Sequence, residues 1–230
     1  MKKKTCVSLV AEKQCYRELW KNGETTLLSA ELEYYTFKGD KKSTTAERIT
    51  RYYIHARNAL LRYCKTQILP ALLLRERDAQ ENGEPFSPLM ISTVPHITYN
   101  ANGVLSLYTD IIQRGEGLNA TLRLGDVWSL INGCPLSIPS FYPKGCNYRR
   151  LLREQIQERI ASDLRVGYAL YYQEYERLLV KHFSSDNYYI TENGLVTFYP
   201  QGSISPDVEG TPSFVHAWNP SGPIEPLLVL

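Results

Sequence analysis

Leu89–Leu130 reads LMISTVPHITYNANGVLSLYTDIIQRGEGLNATLRLGDVWSL, and this stretch decides the fold class. Apolar and polar residues alternate along LMISTVPHITYN and again along VLSLYTDIIQR. A period of two is what a strand with one buried face requires. Asn102-Gly103 stands between the two runs. A tight two-residue turn favours that dipeptide, so the pair reads as an antiparallel hairpin. LNATLRLGDVWSL adds a third strand, with Gly125-Asp126 read as its end, and Gly115-Glu116-Gly117 is a turn. The three strands make a meander.

Upstream, Thr25–Gly39 is a further strand: Leu28, Ala30, Leu32 and Tyr34 alternate with Ser29, Glu31 and Glu33. Residues 5–20 alternate more weakly, and Gly39-Asp40-Lys41-Lys42 is a turn. Thr44 and Glu47 have the spacing of a capping box. Ile49, Tyr52, Tyr53, Ala56, Ala59, Leu60, Tyr63 and Cys64 then recur at three- and four-residue steps, the stripe of an amphipathic helix. Pro70 lacks a backbone donor and is expected to kink or end that helix near Leu69, with helix resuming over Ala71–Ala79. Asn82-Gly83 stops it.

Downstream, Pro135, Pro139 and Pro143 mark an irregular connection. Asn147 can cap a helix carrying Tyr148, Leu152, Ile156 and Ile160. Tyr171, Tyr172, Tyr175, Leu178, Leu179 and Phe183 point to another. Tyr188–Phe214 reads as a hairpin turning at Asn193-Gly194, then a loop stiffened by prolines and opened by glycines. That loop either closes the fold or presents a surface. Ser213–Trp218 can be a last strand.

Strands and helices are segregated, so the expectation is α+β. An antiparallel sheet, meander plus C-terminal hairpin, packs against one long N-terminal helix and two shorter ones. Residues 1–24 would be an extension or edge strand, and 25–218 a single domain with halves near 25–85 and 86–218. Residues 219–230 would be a Pro-rich tail with an apolar end.

The 230 residues are 43% hydrophobic and 22% charged, an ordinary globular balance with a core of useful size. Net charge is +2, too small to argue for nucleic acid or an anionic membrane. Lys2-Lys3-Lys4 is read as a solvated start. The apolar run after it is too short for a signal peptide. No run approaches the roughly 20 apolar residues of a membrane span. The chain as it stands is therefore expected to be soluble and cytoplasmic. Five cysteines, Cys6, Cys15, Cys64, Cys134 and Cys146, lack metal or redox spacing and are read as free thiols. Cys134 and Cys146 could pair only in an oxidising compartment. The 17 tyrosines against 6 phenylalanines suit either a recognition surface or many half-buried positions.

No phosphate loop, dinucleotide fingerprint or nucleophile elbow occurs. The four histidines lie far apart, so neither metal nor cofactor is expected. His96, Asp110, Asp126 and Trp128 are the residues that could line a cleft. Each also has a plainer role: a hydrogen-bonded His, strand or turn carboxylates, a core Trp. No catalytic residue is assigned.

The order of motifs is familiar. ERITRYYIHARNALLRY, RLGDVWSLINGCPLSIPSFYP, YRRLLREQIQERIA and the Tyr188–Phe214 stretch together resemble the paired domains of unknown function in RsiV-type anti-sigma factors. The same pair occurs in the non-catalytic part of PdaC-type peptidoglycan deacetylases. The resemblance runs from Leu27 to Trp218. Its most specific piece is Tyr189-Ile190-Thr191, Gly194, Leu195–Tyr199, Ile204-Ser205-Pro206, Gly210 and Pro212–Phe214. Asp126-Val127-Trp128 and Asn132-Gly133 echo a second family feature. The resemblance implies an extracellular-type α+β domain that binds rather than catalyses. In the anti-sigma members the partner is lysozyme, and the loop holding Pro206 belongs to the recognition region. The family often places a Tyr after the Pro or within two residues of it, where this chain has Asp207 and Val208. Gln113–Gly117 replaces a Gly-rich turn of the family.

The expected function is a non-catalytic binding or sensor module for a protein or cell-wall glycan. Tyr199, Pro206, Asp207, Val208 and Gly210 are its binding candidates. The alternatives are a carbohydrate-active enzyme using a carboxylate cleft, and a homo-oligomerising domain that pairs through Pro226–Leu230.

Overall fold

A computed structural model of the chain describes residues 8–39 and 44–226. Lys2–Lys4, Cys6, the turn residues Asp40–Lys42 and the apolar tail after Pro226 lie outside the described residues. The elements are β1 (Val10–Asn22), β2 (Thr25–Lys38), α1 (Thr44–Tyr63), α2 (Leu69–Asn82), β3 (Leu89–Ala101), β4 (Val104–Gly115) and β5 (Leu118–Ser129), followed by α3 (Tyr148–Val166), α4 (Tyr175–His182), β6 (Tyr188–Thr191), β7 (Gly194–Phe198) and β8 (Ser213–Ala217). One sheet has the order β1-β2-β3-β4-β5 and a second the order β6-β7-β8. The class is α+β, as the switch of period implies. One pairing departs from an all-antiparallel sheet. β2 and β3 run parallel, with Leu28 opposite Leu89 and Leu32 opposite Thr93. A parallel pair needs a crossover, and α1 and α2 supply it.

The chain divides into two compact units. The first holds Val10–Pro95 and Asp110–Ala120. Its core joins Leu28, Ala30 and Leu32 of β2 to Leu61, Cys64 and Leu72 of the helices and to Ile91 of β3. Pro70 does not end the helix. Cys64–Ile68 widens into a π turn, in which the Leu69 N–H donates to Cys64 O, and Pro70 sits in the first turn of α2. The widened turn before it accommodates the ring and the missing N–H. The carboxylate of buried Glu76 accepts from Asn22 Nδ2 (3.0 Å) and from Gln80. On the edge strand β1, Glu12, Lys13 and Arg17 form cross-strand ion pairs with Lys38, Glu33 and Glu31 of β2. Charges of this kind discourage edge-to-edge pairing.

Among the described residues, the second unit holds 8–9, His96–Thr109 and 121–226. Asn147 caps α3, its side chain accepting from the Arg150 N–H (3.3 Å). Leu152, Ile156 and Ile160 follow at four-residue steps and are fully buried. Burying each contributes roughly 1.5–3 kcal/mol. Ile156 and Ile160 pack with Leu178 and Leu179 of α4 and Phe214 of β8. Gly125-Asp126 is not a strand end, because β5 runs on to Ser129. Gly125 is instead a point of close approach: a Cβ there would come 2.0 Å from the Tyr188 carbonyl oxygen. His216 of β8 is buried. Its Nδ1–H donates to Gln155 Oε1 (2.6 Å) on α3, and the Thr197 hydroxyl on β7 donates to Nε2 (2.9 Å). Burial lowers its pKa to about 4, so the ring is neutral at neutral pH.

Candidate functional site

β7 ends at Phe198 and β8 begins at Ser213. The Tyr199 N–H donates to Pro212 O (2.9 Å), closing residues 200–211 into a compact loop whose ends meet. Tyr199 lies beneath this loop, not on it. The side chain is buried, with its ring edge-on to Phe214 and its hydroxyl donating to Leu179 O (3.2 Å). Burial pushes the phenol pKa upward. Ile204 is also buried, and its carbonyl accepts from the Tyr172 N–H (3.1 Å).

The upper part of the loop is braced from within. Gln201 Oε1 accepts from the Thr121 N–H (2.7 Å), and Gln201 Nε2 donates to Asp207 O (3.0 Å). Pro206 leads into a 3-10 turn over Asp207–Glu209, in which the Glu209 N–H reaches Pro206 O and the Gly210 N–H reaches Asp207 O, both at 3.0 Å. The Asp207 carboxylate lies over Gly202, where a Cβ would come 2.2 Å from Oδ1. The result is a fixed loop whose tip residue, Val208, is 84% exposed.

A second segment runs beside the loop. The Leu170 N–H donates to Glu209 Oε1 (3.2 Å). Val166, the last residue of α3, and Tyr168 and Leu170 just after it are 74%, 76% and 59% exposed. Asp163, buried at the end of α3, accepts from Arg159 (3.0 Å). The Tyr171 phenol is pushed up to about 12, by burial first and then by the Asp163 charge.

The loop therefore gathers Pro206, Asp207, Val208 and Gly210, with Tyr199 as its floor. The cleft residues are distributed differently. His96 is exposed and stacks on Tyr108 (4.8 Å between centroids, 30°). Tyr108 also meets Tyr189 (4.9 Å) and carries the Arg123 guanidinium 4.0 Å above its ring. Trp128 is buried at the end of β5, bridged to Pro135. Asp126 is half-buried on β5, and its charge adds to the burial that raises the Tyr188 pKa. Asp110 is half-buried on the part of β4 that belongs to the other unit. Val166, Tyr168, Leu170, Tyr108 and Arg123 are not among the candidate residues that the sequence motifs point to. The signal for the first three is a short one: an apolar residue at every second position, at and just after the end of an amphipathic helix and with no strand to continue it.

Among the described residues no group of three or more His, Cys, Asp or Glu side chains could hold a metal ion. Nor is any described helix long and apolar enough to cross a membrane. Among the described residues, Cys15, Cys64, Cys134 and Cys146 form no disulfide.

Residues 141–216 match the family model DUF3298, described as a protein of unknown function. The match takes in α3, α4, the three-stranded sheet and the loop. The fold is similar to that of a solved DUF3298-family member from Bacteroides fragilis NCTC 9343. The TM-score is 0.68 at 13% identity, covering 93% of this chain and 92% of that one. It is also similar to a DUF3298-family protein from Pseudomonas aeruginosa PAO1, with a TM-score of 0.57 at 16% identity over 91% and 90% of the two chains. At these identities the likeness is one of fold. No curated protein matches the chain. Residues 141–216 thus match the DUF3298 model, in a chain whose fold is similar to those of solved DUF3298-family proteins over more than nine-tenths of its length.

Proposed function

We propose that the chain is a non-catalytic binding module that recognises a protein through the Pro206 loop. One observation carries this reading: an exposed apolar tip, Val208, held on a loop that is braced at Gln201, Ile204, Asp207 and Glu209. A loop fixed before binding loses little conformational freedom when it binds, so more of the contact energy is retained as affinity. The resemblance to RsiV-type domains supports a lysozyme-like partner. The test is calorimetric titration of the chain with lysozyme and, separately, with peptidoglycan fragments, repeated with Pro206→Ala. The expected result is lysozyme binding that weakens about tenfold in the variant, the effect of losing one interface anchor. Turnover of the glycan, with no binding of lysozyme, would overturn the reading.

A second reading, recognition of a cell-wall glycan, is favoured by the surface where exposed His96 stacks on Tyr108 beside Arg123. The peptidoglycan titration, repeated with His96→Ala, reports on it.

A further inference from the structure

We propose that the free edge of β8 is a strand-addition site: one extended segment of a partner protein pairs with Ser213–Ala217 as a fourth strand of the β6-β7-β8 sheet. This rests on the reading of the chain as a protein-binding module. It places a contact on the strand into which the Pro206 loop leads, and it makes backbone, not a side-chain anchor, the thing recognised.

The register with β7 leaves every second residue of β8 unused. The Tyr199 N–H donates to Pro212 O (2.9 Å), so these two form a hydrogen-bonded pair of the antiparallel ladder. Counting on by twos, Phe214 opposite Thr197 and His216 opposite Leu195 are hydrogen-bonded pairs as well. Ser213, Val215 and Ala217, opposite Phe198, Val196 and Gly194, are the intervening ones. The Phe198 N–H agrees with this alternation, since it donates to Asn187 O (3.0 Å) on the β6 side. The N–H and C=O groups of Ser213, Val215 and Ala217 therefore point away from β7. β8 has no neighbour but β7 in its sheet. Ala217 O accepts from Asn219 Nδ2 (3.2 Å), but the Val215 N–H and C=O have no partner among the described residues. All three residues are exposed, Val215 by 61%.

Other strand edges are guarded. At the far side of the same sheet, the Ile190 N–H of β6 donates to Ser106 Oγ (2.9 Å), and Gly125 lies against the Tyr188 carbonyl. The Thr121 N–H of β5 donates to Gln201, and β1 carries ion pairs along its length. Proteins protect edges by charge, proline or cover. SFVHA has no Lys, Arg, Asp, Glu or Pro. An open, uncharged edge of this kind is what an extended segment pairs with, its main chain supplying the hydrogen bonds.

α3 decides the occupant. Ile156 and Ile160 pack with Phe214, and Gln155 bonds His216, so α3 lies against one face of β8. Two copies joined edge to edge would set their β8 strands about 4.8 Å apart, whereas two packed helices need about 8–10 Å. The two α3 helices would overlap, so the edge takes a single strand, not a second copy. On the other face Val215 stands beside Val196, and Arg123 Nη1 donates to Ser213 Oγ (3.4 Å). The partner segment is expected to bring a β-branched apolar residue against Val215 and no cation beside Ser213.

The test has two parts, both on the full chain. Amide hydrogen exchange followed by NMR reads the edge. Phe214 and His216 are expected to be protected, and Val215 to exchange at least about tenfold faster. Equal protection of the three overturns an open edge. The second part selects binders from a library of random peptides of about nine residues, the length of one strand. The tightest is titrated against the chain, Val215→Pro and Val215→Lys. Val215→Pro removes only the outward N–H and leaves the ladder to β7, and Val215→Lys puts a charge on the edge. Unchanged melting temperatures confirm folding. The peptide is expected to shift the amides of Ser213–Ala217 and to slow exchange at Val215. Both variants, and methylation of alternate peptide nitrogens, should weaken binding about tenfold or more. A library that yields no binder, or a binder that leaves the β8 amides unmoved and holds both variants as tightly, overturns the proposal. Dimerisation of the chain that Val215→Lys abolishes replaces the single segment by a second copy and overturns it too. Lysozyme decides the loop reading separately: if it binds and the β8 edge fails these tests, only this inference falls, and if β8 takes peptides while lysozyme does not bind, only the lysozyme reading does.

Discussion

Two hairpins in this chain carry the same dipeptide, and the dipeptide does a different job in each. Between β3 and β4, Asn102-Gly103 is the turn itself, with φ angles of 51° and 74°. Both residues lie in the left-handed region, where the strands' own twist is continued without splaying. Among the described residues, Asn102 is the one non-glycine with positive φ. Between β6 and β7 the same letters are displaced by one. Thr191 pairs with Gly194, so the turn residues are Glu192 and Asn193, and neither has positive φ. Gly194 is the first residue of β7. It is glycine because β8 pairs closely beside it: Gly194 stands opposite Ala217, and at its φ of 158° a Cβ would come 2.2 Å from the His216 carbonyl oxygen. One Asn-Gly satisfies a backbone angle. The other makes room for a neighbouring strand.

The largest test of this contrast replaces each glycine by alanine. Gly194→Ala must push β8 away and is expected to cost about 3 kcal/mol or more, as overpacking of backbone against side chain does. Gly103→Ala forces only a left-handed alanine, about 1–2 kcal/mol. Urea unfolding measures both, and equal losses would show that the two glycines serve the same end. The next effect comes from the histidine above Gly194. His216 has a folded pKa of about 4 against an ordinary 6.5, so between those values the unfolded chain binds the proton that the fold excludes. Its contribution is complete above pH 6.5 and is lost as pH falls through 4, about 3 kcal/mol at most. Unfolding midpoints taken from pH 8 to pH 4 should fall accordingly, and His216→Gln should flatten that slope. The smallest test compares the asparagines. Asn102→Ala loses the left-handed preference and the bond from Nδ2 to the Tyr99 hydroxyl (3.0 Å), about 1 kcal/mol, whereas Asn193→Ala should change stability by less than about 0.5 kcal/mol.

The contrast also marks how far the residues could be read. Period and punctuation revealed what is local: the β3–β4 turn, the stripe of Leu152, Ile156 and Ile160, the cap at Asn147. They could not reveal what a distant segment imposes. Gly125 and Gly194 look like turn residues, because the carbonyls of Tyr188 and His216 that exclude a side chain come from elsewhere in the chain. The parallel register of β2 and β3 follows from where the helical crossover returns the chain, and alternation within a strand carries no direction. β1 was faint because its charged residues mask the alternation. At the candidate site, Pro206 and Gly210 announced a defined loop. That Tyr199 lies under it could not be seen, since a tyrosine suits a floor and a surface alike. The apolar run from Val166 to Leu170 carries too little signal, since it belongs to neither regular period for long enough.

The π turn at Cys64–Ile68 has a consequence for the whole helical crossover. Each residue of an α-helix advances about 100° around its axis. Counted through without interruption, Leu72 and Glu76 fall about 100° from the line set by Ala46, Ile49, Tyr53, Leu61 and Cys64. Yet all are buried. A hydrogen bond reaching five residues back instead of four absorbs one residue without advancing the helix, and so removes that offset. The wide turn is a phase correction. It lets two stripes written out of step in the sequence face the same sheet, and it makes the spacing between Cys64 and Leu69, not the identity of the residues between them, the quantity that keeps Leu72 and Glu76 inside.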